Sequence, residues 1–138
     1  MTLPSRINLV TLGVKDVAAS TAFYERLGWT KSKASNEQVT FFHSNGTVLG
    51  LFDRQSLADD AHVINAEDGF GGFTLAQNFD SDSEVDLAFS HAIACGAVAL
   101  KNRKKCFGAD TPDTSLIPMR TSGNWHTIHL CLSAPKAT

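Results

Sequence analysis

The sequence predicts an α+β fold built from an internal repeat, and three features of the chain support this. A β-prone run followed by an amphipathic helix pattern occurs twice, near residues 8–27 and again near residues 73–95. A glycine follows each helix pattern, at Gly28 and Gly96, where helices commonly end. The first copy also contains Asn45-Gly46, the dipeptide most typical of a tight hairpin. The chain therefore predicts a β-α-β order twice, with the helices covering outer sheet faces.

The first copy reads as β-α-β-β-β. Its opening strand is predicted over residues 8–14, and Asp16 is placed to cap a helix over residues 17–27. A short strand at 29–32 comes before two further strands at 39–43 and 47–52, which the Asn-Gly turn joins. Residues 54–61 add a short helical turn, which completes a first module over residues 1–64.

The second copy begins after a glycine-rich acidic linker at residues 65–72. A strand at 73–77 is followed by Ser81 and Glu84 in the spacing of a capping box, and by a helix over residues 83–95. Thr74-Leu75 occupies the place that Thr11-Leu12 has in the first copy. The second module is predicted over residues 73–100 and to be incomplete, because in residues 101–138 only the run 125–132 is strand-like.

Composition excludes several classes of function. The chain has 138 residues, 43% hydrophobic and 19% charged, which is ordinary for a soluble globular protein. A net charge of −2 gives no electrostatic case for nucleic acid or an anionic membrane as partner. No apolar run is long enough to cross a bilayer, and the N-terminus lacks a signal-peptide core. The three scattered cysteines predict reduced thiols, and the expected location is cytoplasmic.

Two stretches resemble the vicinal oxygen chelate superfamily, which contains glyoxalases, bleomycin-resistance proteins and extradiol dioxygenases. They are the run from Val10 to Asp16 with the segment from Phe23 to Trp29, and the run from Phe70 to Ala76. The resemblance covers about residues 7–100. It implies a cupped mixed sheet made by paired β-α-β-β-β modules, a pocket for a small organic molecule, and a homodimer.

The end of the chain departs from that family, whose members finish with an aspartate-proline turn and a strand carrying a glutamate. Regrouping the codons allowed for Cys106 to Leu132 from their third base permits F-W-G-G-Y-S-G-Y-F-A-D-P-D-A-H-L-W-E-L-A-Y-N-P, which is close to the family ending. Residues 101–106 regroup to permit K-P-E-K-V. We therefore hypothesise that residues 101–138 are an atypical tail read in a shifted frame. The alternative is a divergent C-terminus that was selected as it stands.

The residues at the family's metal positions argue against its usual divalent metal centre. Leu9 and Gly72 stand where the resemblance places the first ligand of each module, and residues 47–52 carry no carboxylate. Neither an apolar side chain nor a glycine can donate an electron pair to a cation. His126 and His129 form the one close histidine pair, without a third ligand nearby in sequence. The sequence therefore predicts no metal site and no cofactor, and the catalytic residues are unknown.

Three residues are candidates to line a pocket: Thr11, Phe42 and Thr74. The two threonines occupy matching inward places of the repeat, and Phe42 flanks the first hairpin, although a core position is the simpler interpretation for any one of these aromatics. His43 is interpreted as a partly exposed strand histidine and Cys95 as an inert core thiol. The predicted function is binding of an unidentified small organic molecule without a metal. The alternatives are a metal-dependent lyase or dioxygenase, and a product without function.

Overall fold

The computed structural model describes residues 1–66, 74–99, 104–105, 115–121 and 124–132. The chain divides into two units, Met1–Glu67 and Asp68–Thr138, and each is described by itself. Strands and helices alternate in both units, and both sheets contain parallel and antiparallel pairs. The predicted α+β class with mixed sheets is therefore confirmed.

The first unit forms a three-stranded sheet covered by a helix. Its elements are β1 (Leu9–Val14), α1 (Val17–Leu27), β2 (Val39–Ser44), β3 (Thr47–Asp53) and α2 (Arg54–Asp60). The sheet order is β1-β3-β2, with β1 parallel and β2 antiparallel to β3. In place of the predicted strand at 29–32, the structure has a single antiparallel bridge between Lys31 and Phe42.

The ends of α1 follow from the residues that the sequence places there. Asp16 accepts a hydrogen bond from the Ala19 N–H at 3.0 Å and so satisfies one unpaired amide of the first turn. Gly28 ends the helix at φ 106°, a left-handed conformation in which a Cβ atom would be strained. Gly96 follows the second long helix at φ 110°, so both glycines terminate helices as predicted.

The core of the first unit lies between α1 and one face of its sheet. Alternate residues of each strand point to this face, and the fully buried ones include Leu12, Phe42 and Leu51. Phe23 and Tyr24 of α1 pack onto them, and the Tyr24 ring centroid lies 5.6 Å from that of Phe42. Large apolar side chains from both layers thus close this face to water.

The Tyr24 hydroxyl is buried in that core and makes no hydrogen bond within the described residues. Burial raises the pKa of Tyr24 to about 12. We expect Tyr24→Phe to stabilise the protein by about 1 kcal/mol, because an unpaired buried hydroxyl costs more than the hydrogen atom that replaces it. Chemical denaturation of both proteins measures this difference.

The raised pKa of Tyr24 also determines how the stability of the protein depends on pH. The folded pKa is raised, so the Tyr24 contribution is fully present below pH 10 and is lost as pH rises towards 12. The chain contains one tyrosine, so an ultraviolet titration of phenolate reports this group alone. Titration of the folded protein near the ordinary value of 10 would contradict the burial, and Tyr24→Phe should remove this pH dependence.

The second unit repeats the topology of the first. Its elements are β4 (Thr74–Phe79), α3 (Asp82–Ala94), β5 (Ala97–Ala99), β6 (Lys104–Lys105), β7 (Ser115–Thr121) and β8 (Asn124–Leu132). The sheet order is β4-β8-β7-β5, and β4 runs parallel to β8 as β1 does to β3. Ser81 caps α3 through the Glu84 N–H, while the Glu84 carboxylate accepts from the Asp80 N–H, one residue before the expected Ser81.

Two strands of this unit, β6 and β7, were not expected from the sequence. β7 spans residues 115–121 and contains Pro118, which cannot donate a ladder hydrogen bond. On the side of β7 away from β8, β5 pairs with residues 119–121 and β6 with residues 115–116. Neither described neighbour on that side pairs with Pro118, which is where a strand tolerates a proline.

Candidate functional site

The face of the first sheet away from α1 carries partly exposed side chains that can contact a ligand. Thr11 of β1 and Phe41 of β2 both stand opposite Gly50 of β3 in the strand register. Because side chains alternate between the two faces, the Thr11 and Phe41 side chains share the face on which Gly50 has none. Both are partly exposed. We call this the open face, and its described members are Leu9, Thr11, Gly13, Val39, Phe41, His43, Val48, Gly50 and Phe52.

Gly50 lets neighbouring side chains close over the middle of the open face. A Cβ atom placed on Gly50 would lie 3.4 Å from Phe41 Cε1, 3.4 Å from Thr11 Oγ1 and 3.5 Å from Leu9 Cδ1. Three side chains from the two flanking strands therefore converge above one glycine. An aromatic edge, a hydroxyl and a methyl group that meet at one point make a surface suited to a small, partly apolar molecule.

The predicted site residues fall in different places. Thr11 lies on the open face, as the repeat pattern suggested. Phe42 is fully buried on the opposite face, where its ring contacts Tyr24 and Trp29, so it belongs to the core beneath α1. Its neighbour Phe41 is the aromatic residue of the open face. The sequence pointed to an aromatic residue of this strand, but the strand register decides which of the two aromatics lies on the open face.

Thr74 begins β4, where it stands opposite Thr127 of β8. Its side chain, and those of His126 and His129, lie outside what the structure describes, as do Gly69, Gly71 and Gly72. Sequence reasoning missed Gly50, although a glycine inside a strand is a known sign of close approach by another group.

The end of β1 shows what closes one end of the open face. A Cβ atom on Gly13 would lie 3.2 Å from both Arg54 Cα and Leu57 Cδ2, so α2 packs directly against this glycine. Arg54 then holds the following segment, donating from Nε to Asn65 Oδ1 at 2.7 Å and from Nη2 to the Ala66 carbonyl at 2.6 Å. Helix α2 thus covers the Gly13 end of the open face, and Arg54 holds the segment that follows this helix.

The donor groups of the first unit do not fit a divalent metal centre. Leu9 presents a hydrocarbon where the resemblance places a ligand, and His43 is the one imidazole among the open-face residues. Hydrogen bonds from the Ser56 amide and hydroxyl lower the pKa of Asp53, whose carboxylate caps α2. In the part of the chain that the structure describes, no three His, Cys, Asp or Glu side chains are grouped to hold a metal.

His43 and Cys95 differ in their exposure to solvent. His43 is exposed beside the hairpin, where residues 43–48 line a shallow depression of ≈ 250 Å³. Cys95 is buried, and its Sγ lies 3.8 Å from Nε2 of His91 one turn earlier. Both arrangements agree with the structural interpretations made from the sequence.

Comparison with known proteins identifies the family. The model of the Glyoxalase/Bleomycin resistance protein/Dioxygenase superfamily matches residues 6–114, and the chain belongs to this superfamily. The match extends beyond residue 100, where the resemblance seen in the sequence ended. A search among curated proteins gave no match.

Solved structures share the fold at low sequence identity. A glyoxalase-related enzyme from Fulvimarina pelagi is 24% identical with a TM-score of 0.79, covering 94% of this chain and 89% of that one. Lactoylglutathione lyase from Agrobacterium tumefaciens is 21% identical with a TM-score of 0.69, covering 95% and 96%.

A third neighbour was solved with a metal and a phosphonic acid. A mutant of the fosfomycin resistance protein from Listeria monocytogenes, in complex with Mn(II) and dihydroxypropylphosphonic acid, is 18% identical with a TM-score of 0.70, covering 97% and 94%. At these identities the likeness establishes the fold of the chain and not its ligand. No helix among the described residues is long and apolar enough to cross a membrane.

Proposed function

We propose that this chain binds a small organic molecule on the open face, without the divalent metal centre of its superfamily. The observation that supports the proposal is the convergence of Leu9, Thr11 and Phe41 above Gly50 on a face where all three are at least partly exposed. Phe41 offers apolar contact to a flat or aliphatic group, and the Thr11 hydroxyl can donate or accept one hydrogen bond. Thr74 occupies the matching place in the second repeat and stays a predicted ligand-binding residue of that unit.

The metal-dependent alternative is a lyase or dioxygenase, as two of the structural neighbours are metal-associated or lyases by name. The donor set of the first unit disfavours it, because Leu9 and Phe41 cannot bind a cation. Elemental analysis of the purified chain separates the two functions. A stoichiometric divalent metal that resists dialysis would overturn the metal-free proposal.

We expect the fluorescent probe 8-anilinonaphthalene-1-sulfonate to bind the open face, and Gly50→Leu to weaken that binding roughly tenfold, a loss of about 1.4 kcal/mol. A leucine side chain at position 50 would push against Thr11 and Phe41, which lie 3.4 Å from its Cβ position, and so displace the surface that the probe contacts. A fluorescence titration of the folded full-length chain measures the change.

The matched control is Ala19→Leu, which adds a leucine at an exposed position of α1 away from the open face. It should leave the affinity unchanged. Phe41→Ala should also weaken binding of the probe, because it removes the aromatic ring without adding volume to the open face. Equal affinity of the parent chain, Gly50→Leu and Phe41→Ala would place the probe elsewhere and remove support for this site.

A further inference from the structure

A groove lies on the other face of the first sheet, between α1 and the segment that leads into β2. It has a volume of ≈ 430 Å³, within the range of small-molecule sites and far larger than one ion requires. Thr40 of β2 points to this side, whereas Phe41 points to the open face. The groove is therefore distinct from the open face. Its lining residues are Val17, Ala18, Thr21, Glu25, Lys31, Ser35, Asn36, Glu37 and Thr40.

The wall of this groove is held in place by local hydrogen bonds. Asn36 Oδ1 accepts from the amides of Gln38 at 2.8 Å and Val39 at 3.0 Å, which fixes the turn before β2. Ser35 Oγ accepts from the Phe41 amide at 2.9 Å and ties the same turn to the strand. The segment is thus preformed, and a ligand would not have to order it.

The charged groups that line the groove are not paired within the described residues. Glu25 projects from α1, and Lys31 and Glu37 from the opposite wall, and all three side chains are exposed. Their formal charges sum to −1. A ligand that pairs with all three groups carries two positive charges and one negative charge.

The floor of the groove adds a hydrogen-bond acceptor. Thr21 Oγ1 donates to the Val17 carbonyl at 2.7 Å, so its single proton is used there. The 2.7 Å bond between the two threonine hydroxyls is therefore donated by Thr40 to Thr21. Neither lone pair of Thr40 Oγ1 has a donor among the described residues, although Thr40 is only 3% exposed. A donor group on a ligand would satisfy one of them.

From this geometry we infer that the groove binds a basic α-amino acid. The two ammonium groups of such a ligand face Glu25, Glu37 and the Thr40 oxygen, and its carboxylate faces Lys31. The three charged side chains and the Thr40 oxygen disfavour a purely apolar ligand, and the net charge of the lining disfavours an anion. This inference does not depend on the function proposed for the open face.

Isothermal titration of the full chain with L-lysine at low salt tests the inference. We expect saturable binding with a Kd in the range of about 0.1–5 mM, as suits a few exposed ion pairs. Glu25→Gln and Glu37→Gln should each weaken binding roughly two- to fivefold. Asp60→Asn, the matched control, removes one negative charge at the exposed end of α2 and should leave the affinity unchanged.

Two comparison ligands separate the charges. L-norleucine lacks the second amine and 1,5-diaminopentane lacks the carboxylate, so both should bind more weakly than L-lysine. Lys31→Gln should weaken the binding of L-lysine but should not weaken the binding of 1,5-diaminopentane. No saturable binding of L-lysine below about 20 mM, well above the expected Kd, would overturn the inference. So would affinities that Glu25→Gln, Glu37→Gln and Asp60→Asn change equally.

Discussion

Deletion of residues 106–138 is expected to abolish the hydrogen-exchange protection of α3 and β4 while β1–β3 retain theirs. The reason is the strand order β4-β8-β7-β5, in which the two tail strands stand between the other two. Among the described residues, β4 pairs only with β8, and β5 only with β7. A 13-residue helix and isolated strands are marginal in water without such partners.

Amino-acid pattern alone leads to the opposite expectation, because residues 101–138 lack a sustained strand or helix period and contain prolines. On that basis, removing the tail should cost little stability. The matched control is deletion of residues 133–138, which removes none of the described strands and should leave α3 protected. Full protection of α3 after the longer deletion would show that β8 is not a central strand.

The second large effect concerns the reading frame of the tail. We propose that residues 101–138 arose from a frame change near codon 101. Sequencing the gene across codons 98–110 should then show gained or lost nucleotides relative to the genes of family members. A chain rebuilt in the regrouped frame should melt at a higher temperature, because its apolar residues would again match the faces of the second sheet.

Thermal unfolding of the present and rebuilt chains measures that difference. The matched control is a chain in which the tail from residue 101 is replaced with Gly-Ser repeats of equal length. Such repeats restore no strand pattern. A natural relative that has this same protein tail, but different synonymous codons, would contradict the frame-change proposal. Such a relative would mean that selection acted on the amino acids as they stand.

The elements of the first unit could be predicted closely because their signals are local. Asp16, Gly28 and the Asn45-Gly46 turn act within a few residues of themselves, through a cap, a left-handed glycine and a hairpin turn. The predicted boundaries of β1, α1, β2 and β3 therefore agree with the structure to within a residue or two. The repeat likewise predicted the second helix and its terminal glycine.

Tertiary structure alone decided which side chains meet. Phe41 and Phe42 are equivalent as sequence letters, and only the pairing of both flanking strands with Gly50 places Phe41 beside Thr11 and Phe42 in the core. The strand at 115–121 also depends on long-range pairing, since Pro118 weakens its local pattern while β8 provides the ladder. Local chemistry thus determined the elements of this protein. The register between distant strands determined its surfaces, because a shift of one residue exchanges the two faces of a strand.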